Sequence, residues 1–174
     1  VVTNGGVTDI IAKHFGVEGK ASVRVIYKED IVSDGVNADV VSQFVNANED
    51  AALDLQYPSD GVTVPRNLDG LGFKWEDPSG TEDTLYRIRF QTEITDISVY
   101  TDEATWVSST DLWELISAAN RKGSVSVDLF AGDWSNGSLS NVREGDSISL
   151  VVNRLDGRGS VLYWAGESEE CQSG

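Results

Sequence analysis

At 174 residues the chain has room for one full hydrophobic core with a small appendage, because single domains cluster at ~100–150 residues. Its 29 acidic residues against 13 basic ones leave a formal net charge of −16, which repels phosphate backbones and anionic bilayers and argues against nucleic-acid binding; no apolar run approaches the ~18 residues needed to span a membrane. One cysteine, Cys171, excludes an intramolecular disulfide and a thiolate metal cage, and one histidine, His14, removes the usual ingredient of metal triads and Ser-His-Asp catalysis.

In chain order, Val7, Ile10, Ile11 and Phe15 have the spacing of one face of a short helix. Ala21 to Tyr27 alternates as a half-buried strand, with Ala21, Val23, Val25 and Tyr27 on one face. Asp39 to Asn48 is divided between helical spacing at Val41, Phe44 and Val45 and the strand preference of β-branched residues. Leu53 to Tyr57 alternates again and stops at Pro58, and Asp60-Gly61 supplies a tight turn. Further strands are expected over Leu71–Trp75, Thr84–Gln91 and Asp96–Thr101. A helix over Asp111–Asn120 follows, with Ser109 or Thr110 as its N-cap and Gly123 as its stop. Ser124–Phe130, Ser147–Asn153 and Ser160–Trp164 read as three more strands, and the Gly-, Ser- and Asn-rich stretch Gly132 to Gly145 as a loop.

Short strands punctuated by turns favour a sandwich over a βαβ plan. Tyr57-Pro58-Ser59-Asp60-Gly61, Phe73-x-Trp75, Tyr86-Arg87-Ile88-Arg89-Phe90, Val125-x-Val127-x-Leu129 and Val161-Leu162-Tyr163-Trp164 together give residues 53–164 a pattern that resembles the fibronectin type III and wider immunoglobulin-like superfamily. More narrowly it is similar to the sandwich modules of large bacterial secreted or surface proteins, which often stand beside TolB-like propellers. The resemblance implies an all-β, immunoglobulin/fibronectin III-like antiparallel β-sandwich with one short helix. Residues 1–50 would then be an N-terminal annex, 51–166 the sandwich and 167–174 a tail. It also implies a non-catalytic, extracellular structural or adhesion module at the cell surface, whose partners are other subunits or domains of the same surface protein. The absence of Met at position 1 fits a processed product or an excised segment. Cys171 suits pairing between chains in an oxidising compartment, and the apolar start, Val1 to Val7, suits strand addition to a neighbour's sheet edge.

Two further chemistries are legible. Calcium takes six to eight oxygen ligands from acidic loops, which makes Asp30, Asp34, Asp39, Asp77, Asp83 and Asp133 candidate ligands, although no stretch has the spacing of an EF-hand loop. Trp106 and Trp134 lie outside the clearest apolar patterns, unlike Trp75, Trp113 and Trp164, and are the candidate platforms for stacking on glycans, the alternative being a carbohydrate-binding module. Asn136-Gly137-Ser138 matches an N-glycosylation acceptor. With 29 acids in the chain, any two carboxylates fall near each other by chance, so no glycosidase pair is inferred.

Overall fold

The computed structural model describes residues 5–120, 123–153 and 156–157. The expected strand at Ser160–Trp164, Cys171 and the first four residues of the chain lie outside them. The elements are β1 (Gly6–His14), β2 (Val17–Val25), β3 (Tyr27–Val32), a 3₁₀ turn (Ala38–Ser42), β4 (Asn48–Glu49), β5 (Asp54–Tyr57), β6 (Thr63–Val64) and β7 (Gly72–Glu76). They continue with β8 (Thr84–Gln91), β9 (Thr95–Thr101), β10 (Thr105–Val107), α1 (Thr110–Ala119), β11 (Ser124–Ser135), β12 (Ser138–Glu144) and β13 (Ile148–Val152).

β11 organises the body. Its one side carries β8 over residues 126–133, and its other side carries two strands in succession, β13 over 124–127 and β12 over 130–135. β9 and then β3 continue the sheet beyond β8; β4 flanks β12 and β6 flanks β13. A second, three-stranded sheet has the order β10-β7-β5, and among the described residues β1 pairs only with β2.

Period-2 alternation sorts the side chains of the large sheet to two faces. Tyr86, Ile88 and Phe90 of β8, Ile97 and Val99 of β9, and Val125, Val127, Leu129 and Ala131 of β11 meet Phe73 and Trp75 of β7 and Leu112, Trp113 and Ile116 of α1 in the main core. The opposite face is apolar only in part: Leu85, Tyr100 and Phe130 pack under Val40 and Phe44 from the 3₁₀ turn and its exit. Elsewhere that face is ruled by polar cross-strand pairs, Arg87 Nε donating to Ser98 Oγ at 3.0 Å and Arg89 binding Asp96 through both carboxylate oxygens at 2.8 and 3.1 Å.

Local signals explain several elements. Ser109 caps α1, its hydroxyl accepting from Leu112 N–H at 3.2 Å, and Trp113 Nε1 donates to the Pro65 carbonyl at 2.9 Å, fixing the helix over the core. Gly61 takes φ +71° in the turn after β5, which is held to β13 by Asp60 Oδ1 accepting from Ser149 N–H at 2.7 Å.

The immunoglobulin/fibronectin III-like antiparallel sandwich is overturned. Such a fold closes two antiparallel sheets over one core, whereas the described residues form three sheets that remain open, and β3/β9, β12/β4 and β13/β6 all pair parallel. The all-β character with one short helix holds; the immunoglobulin-like, fibronectin-like and adhesion-module descriptions that rested on the resemblance do not. The motifs misled because alternation fixes which face a residue takes, not the direction of the strand beside it. Gly6–His14 form a strand instead of a short helix, with Phe15 in the turn that follows, in keeping with the β-branched Val7, Thr8, Ile10 and Ile11. The stretch from Gly132 to Gly145 is a hairpin instead of a loop: Asn136 and Gly137, at φ +51° and +78°, form the two-residue turn that the Asn-Gly pair favours.

Phe73 is 2% exposed and meets the Phe90 ring edge to face at 5.3 Å. Phe73→Ala is expected to lower unfolding free energy by about 3–5 kcal/mol, a fall in melting midpoint of roughly 10 °C, measured by calorimetry.

Candidate interaction surface

β1 and β2 form an arm. All nine residues of β1 pair with β2 in continuous register from Gly6↔Val25 to His14↔Val17, and Phe15-Gly16, at φ +44° and +79°, close a two-residue turn. Among the described residues nothing of the body packs on it over most of its length: Val7, Ile10, Ile11, Phe15, Val17 and Val25 are all exposed, Phe15 at 95%. The root is fixed. A Cβ on Gly5 would run into the Ile94 carbonyl, the same oxygen accepts from Tyr27 N–H at 2.9 Å, and Arg24 binds Glu93 at 2.8 Å.

The register divides the arm into two unlike faces. Val7/Arg24, Asp9/Ser22, Ile11/Lys20 and Lys13/Glu18 share one face, and its charges answer one another through Lys13–Glu18 at 3.0 Å and Lys20–Asp9 at 2.9 Å. The other face carries Gly6/Val25, Thr8/Val23, Ile10/Ala21, Ala12/Gly19 and His14/Val17, with no Asp, Glu, Lys or Arg among ten residues. A bare two-stranded ribbon is marginally stable in water, and surface ion pairs add little, so an exposed face of this composition has the chemistry of a contact surface. The strand expected over Ala21–Tyr27 exists, but it divides at Ile26 into β2 and β3, and β2 is exposed on both faces instead of half-buried.

The densest charge cluster lies in the body. Arg143 of β12 and the Asp77 side chain, 6% and 1% exposed, form a bidentate pair at 2.6 and 3.0 Å, with Asp50 at 3.6 Å and Asp133 at 3.9 Å. Asp133 also accepts from Thr84 Oγ1 and Asn141 Nδ2, both at 3.1 Å. Burial, and the Asp77 carboxylate beside it, push the Tyr86 phenol up to about 12. Burial works against the Arg143 cation, but the Asp77 hydrogen bonds and charge outweigh it and raise its pKa. The cluster ties β12 to the β7–β8 connection.

The expected calcium ligands are dispersed. Asp77 and Asp133 meet on Arg143; Asp83 is exposed nearby, its carbonyl accepting from Trp134 N–H at 2.9 Å. Asp30 accepts from the Tyr100 hydroxyl at 3.0 Å, and burial with this acceptor raises the Tyr100 pKa. Asp34 and Asp39 are exposed, Asp39 in the first turn of the 3₁₀ segment capped by Asn37. Among the described residues no group of three or more His, Cys, Asp or Glu side chains is arranged to hold a metal ion. Of the two tryptophans singled out for sugar stacking, Trp106 is half-buried with its ring 5.8 Å from Phe73 and 5.9 Å from Phe90, and Trp134 packs against the second apolar cluster. Trp75 and Trp113 are core residues.

Sequence reasoning missed the arm's register and its neutral face. Alternation was present in Thr8, Ile10 and Ala12, but a Phe-Gly turn is a weak hairpin signal because Phe disfavours positive φ. No known protein family matches this chain, and no curated protein is significantly similar to it.

Removing Arg143 strands a buried carboxylate. Arg143→Met is expected to cost about 3–5 kcal/mol, and Asp77→Asn in the same chain to recover at least half, read from urea unfolding. Arg89 hydrogen-bonds the charged form of Asp96 and holds its carboxyl below the usual carboxylate range, outweighing the opposing effect of burial. A depressed folded-state pKa gives stability that is present above the unfolded value and lost as pH falls through the folded one. Asp96→Asn is therefore expected to destabilise by about 1 kcal/mol at pH 7, with the gap from the parent protein closing below pH 4.

Proposed function

We propose that this chain is a non-catalytic structural module that works by assembly, its body holding out the β1–β2 arm for contact with protein. The observation that carries this reading is the arm's uncharged face, exposed on both strands and formed at the end of a body whose own core is complete without it. Strand edges and ribbons are common currency for protein association, since their backbone groups and alternating side chains supply affinity and register together. The charged cluster supports the same reading: around Arg143 the carboxylates spend their interactions on fastening β12 to the β7–β8 connection. The acid-rich remainder of the surface suits a module that must stay soluble in an extracellular setting while presenting an apolar arm.

The reading requires a body that folds without the arm. A chain in which the arm is cut back so that Gly6 and Val25 are joined through Asn-Gly is expected to melt cooperatively within about 3 °C of the full chain. Loss of the cooperative transition would make the arm part of the folding unit and end this reading.

A further inference from the structure

We propose that the neutral face of the arm is the interface for a second copy of this chain, the two arms lying face to face and pointing in opposite directions. The inference rests on the arm being an interaction element, and it identifies the occupant from three observations.

The first is self-complementarity. A two-fold axis across the middle of the ribbon places each layer of the neutral face over a defined layer of the second copy, as an isologous contact demands. With the register from Gly6↔Val25 to His14↔Val17, the axis passes through the Ile10/Ala21 layer. Val23 then lies over Gly19 of the second copy, Thr8 over Ala12, and Gly6 over His14, a large residue against a smaller one each time. Val25 faces Val17, and Ile10 faces Ile10 at the axis. Interdigitation of this kind is what packing two sheet faces ~10 Å apart requires.

The second is charge. The arm, residues 6–25, has Lys13, Lys20 and Arg24 against Asp9 and Glu18, a net +1, which leaves −17 on the rest of the chain. Two such bodies repel. Arms of nine-residue strands are about 30 Å long, and with the arms opposed the bodies sit at the two ends, several screening lengths apart at ~8 Å each in physiological salt. Arms pointing the same way would press the two acidic bodies together. The charged residues of the arm lie on its outer faces in the opposed pair and stay in water.

The third is area. A ribbon about 30 Å by 10 Å presents about 300 Å² on its neutral face, and two such faces about 600 Å², below the ~1,000 Å² of a stable interface. The pair is therefore a weak, reversible dimer that forms at high protein concentration.

The test uses the full chain in sedimentation velocity over a wide concentration range at 50 and 500 mM NaCl. A reversible dimer is expected, about 3- to 10-fold tighter at the higher salt because screening relieves the repulsion between bodies. Ile10→Asp, on the neutral face, is expected to abolish it, and Ile11→Asp, on the charged face one residue away, to leave it within about 2-fold. Both side chains are exposed, so neither change touches the core. In a Cys171→Ser background, Ile10→Cys is expected to be linked into a dimer by a short bis-maleimide cross-linker where Ile11→Cys is not, since faces ~10 Å apart are too distant for a direct disulfide. A chain that stays monomeric up to ~1 mM at both salts overturns the proposal, as does a dimer that weakens with salt, which would mean an arm on an acidic body, or one that Ile11→Asp dissolves and Ile10→Asp spares. If the wild type is monomeric while the arm-trimmed chain melts normally, only the second copy is excluded; if the trimmed chain does not fold, the reading of the arm itself is lost.

Discussion

The body depends on one seam, where the aromatic face of β7 meets that of β8. Phe73 packs edge to face on Phe90 and Trp75 on Tyr86, each pair at 5.3 Å, and Trp106 leans on both phenylalanines. This contact joins the three-stranded sheet to the large one and buries the facing side chains of both. Aromatic pairs in these geometries are worth about 0.5–1.5 kcal/mol each beyond their buried area, so the seam sets orientation as well as stability. α1 then closes the core from one end through Trp113, whose indole is fixed by the Pro65 carbonyl.

That seam was the part of the fold most legible in the sequence. Phe73-x-Trp75 and Tyr86-x-Ile88-x-Phe90 alternate so plainly that their shared burial follows from period 2 alone, and Ser109 announced the start of α1. What alternation does not contain is the identity and direction of each neighbour. β11 illustrates this: alternation predicts a strand only over Ser124–Phe130, yet β11 runs on to Ser135 and one of its sides is shared between β12 and β13, with a register shift between Ala131 and Asp133 where β12 pairs. The parallel partners β3, β4 and β6 are short or come from distant sequence, and no local signal marks them. The immunoglobulin-like reading failed at this level, after most of the strands of the body had been placed.

The charged residues show why composition was a weak guide to chemistry. Among 29 acids, a loop with two or three carboxylates looks like a cation site, but a cation can be supplied by the chain itself. Arg143 does so for Asp77, Asp50 and Asp133, three residues distant in sequence, of which the pairing of β12 with β11 and β4 brings Asp133 and Asp50 to it. Desolvating such a group is expensive unless its hydrogen bonds are made, so once the guanidinium is bidentate to Asp77 the position of β12 is narrowly defined. Arg143 and the Asn136-Gly137 turn stand in registers one residue apart, the shift falling between Ala131 and Asp133 of β11.

The arm is the opposite case, a strand pair whose register buries nothing. In the body, slipping a strand by one residue would expose its core face, which is a strong specification of register. In the arm the same slip would trade a neutral face for a charged one and break both Lys13–Glu18 and Lys20–Asp9, a much weaker penalty in water. A sequence under no demand but folding has no reason to keep every charge on one side of such a ribbon. Segregation of Asp9, Lys13, Glu18, Lys20 and Arg24 to one face, with glycine, alanine, valine and isoleucine dominating the other, specifies the arm only if something removes that second face from water. In the dimer proposed above, the contact between the arms would supply the specification that burial supplies in the body.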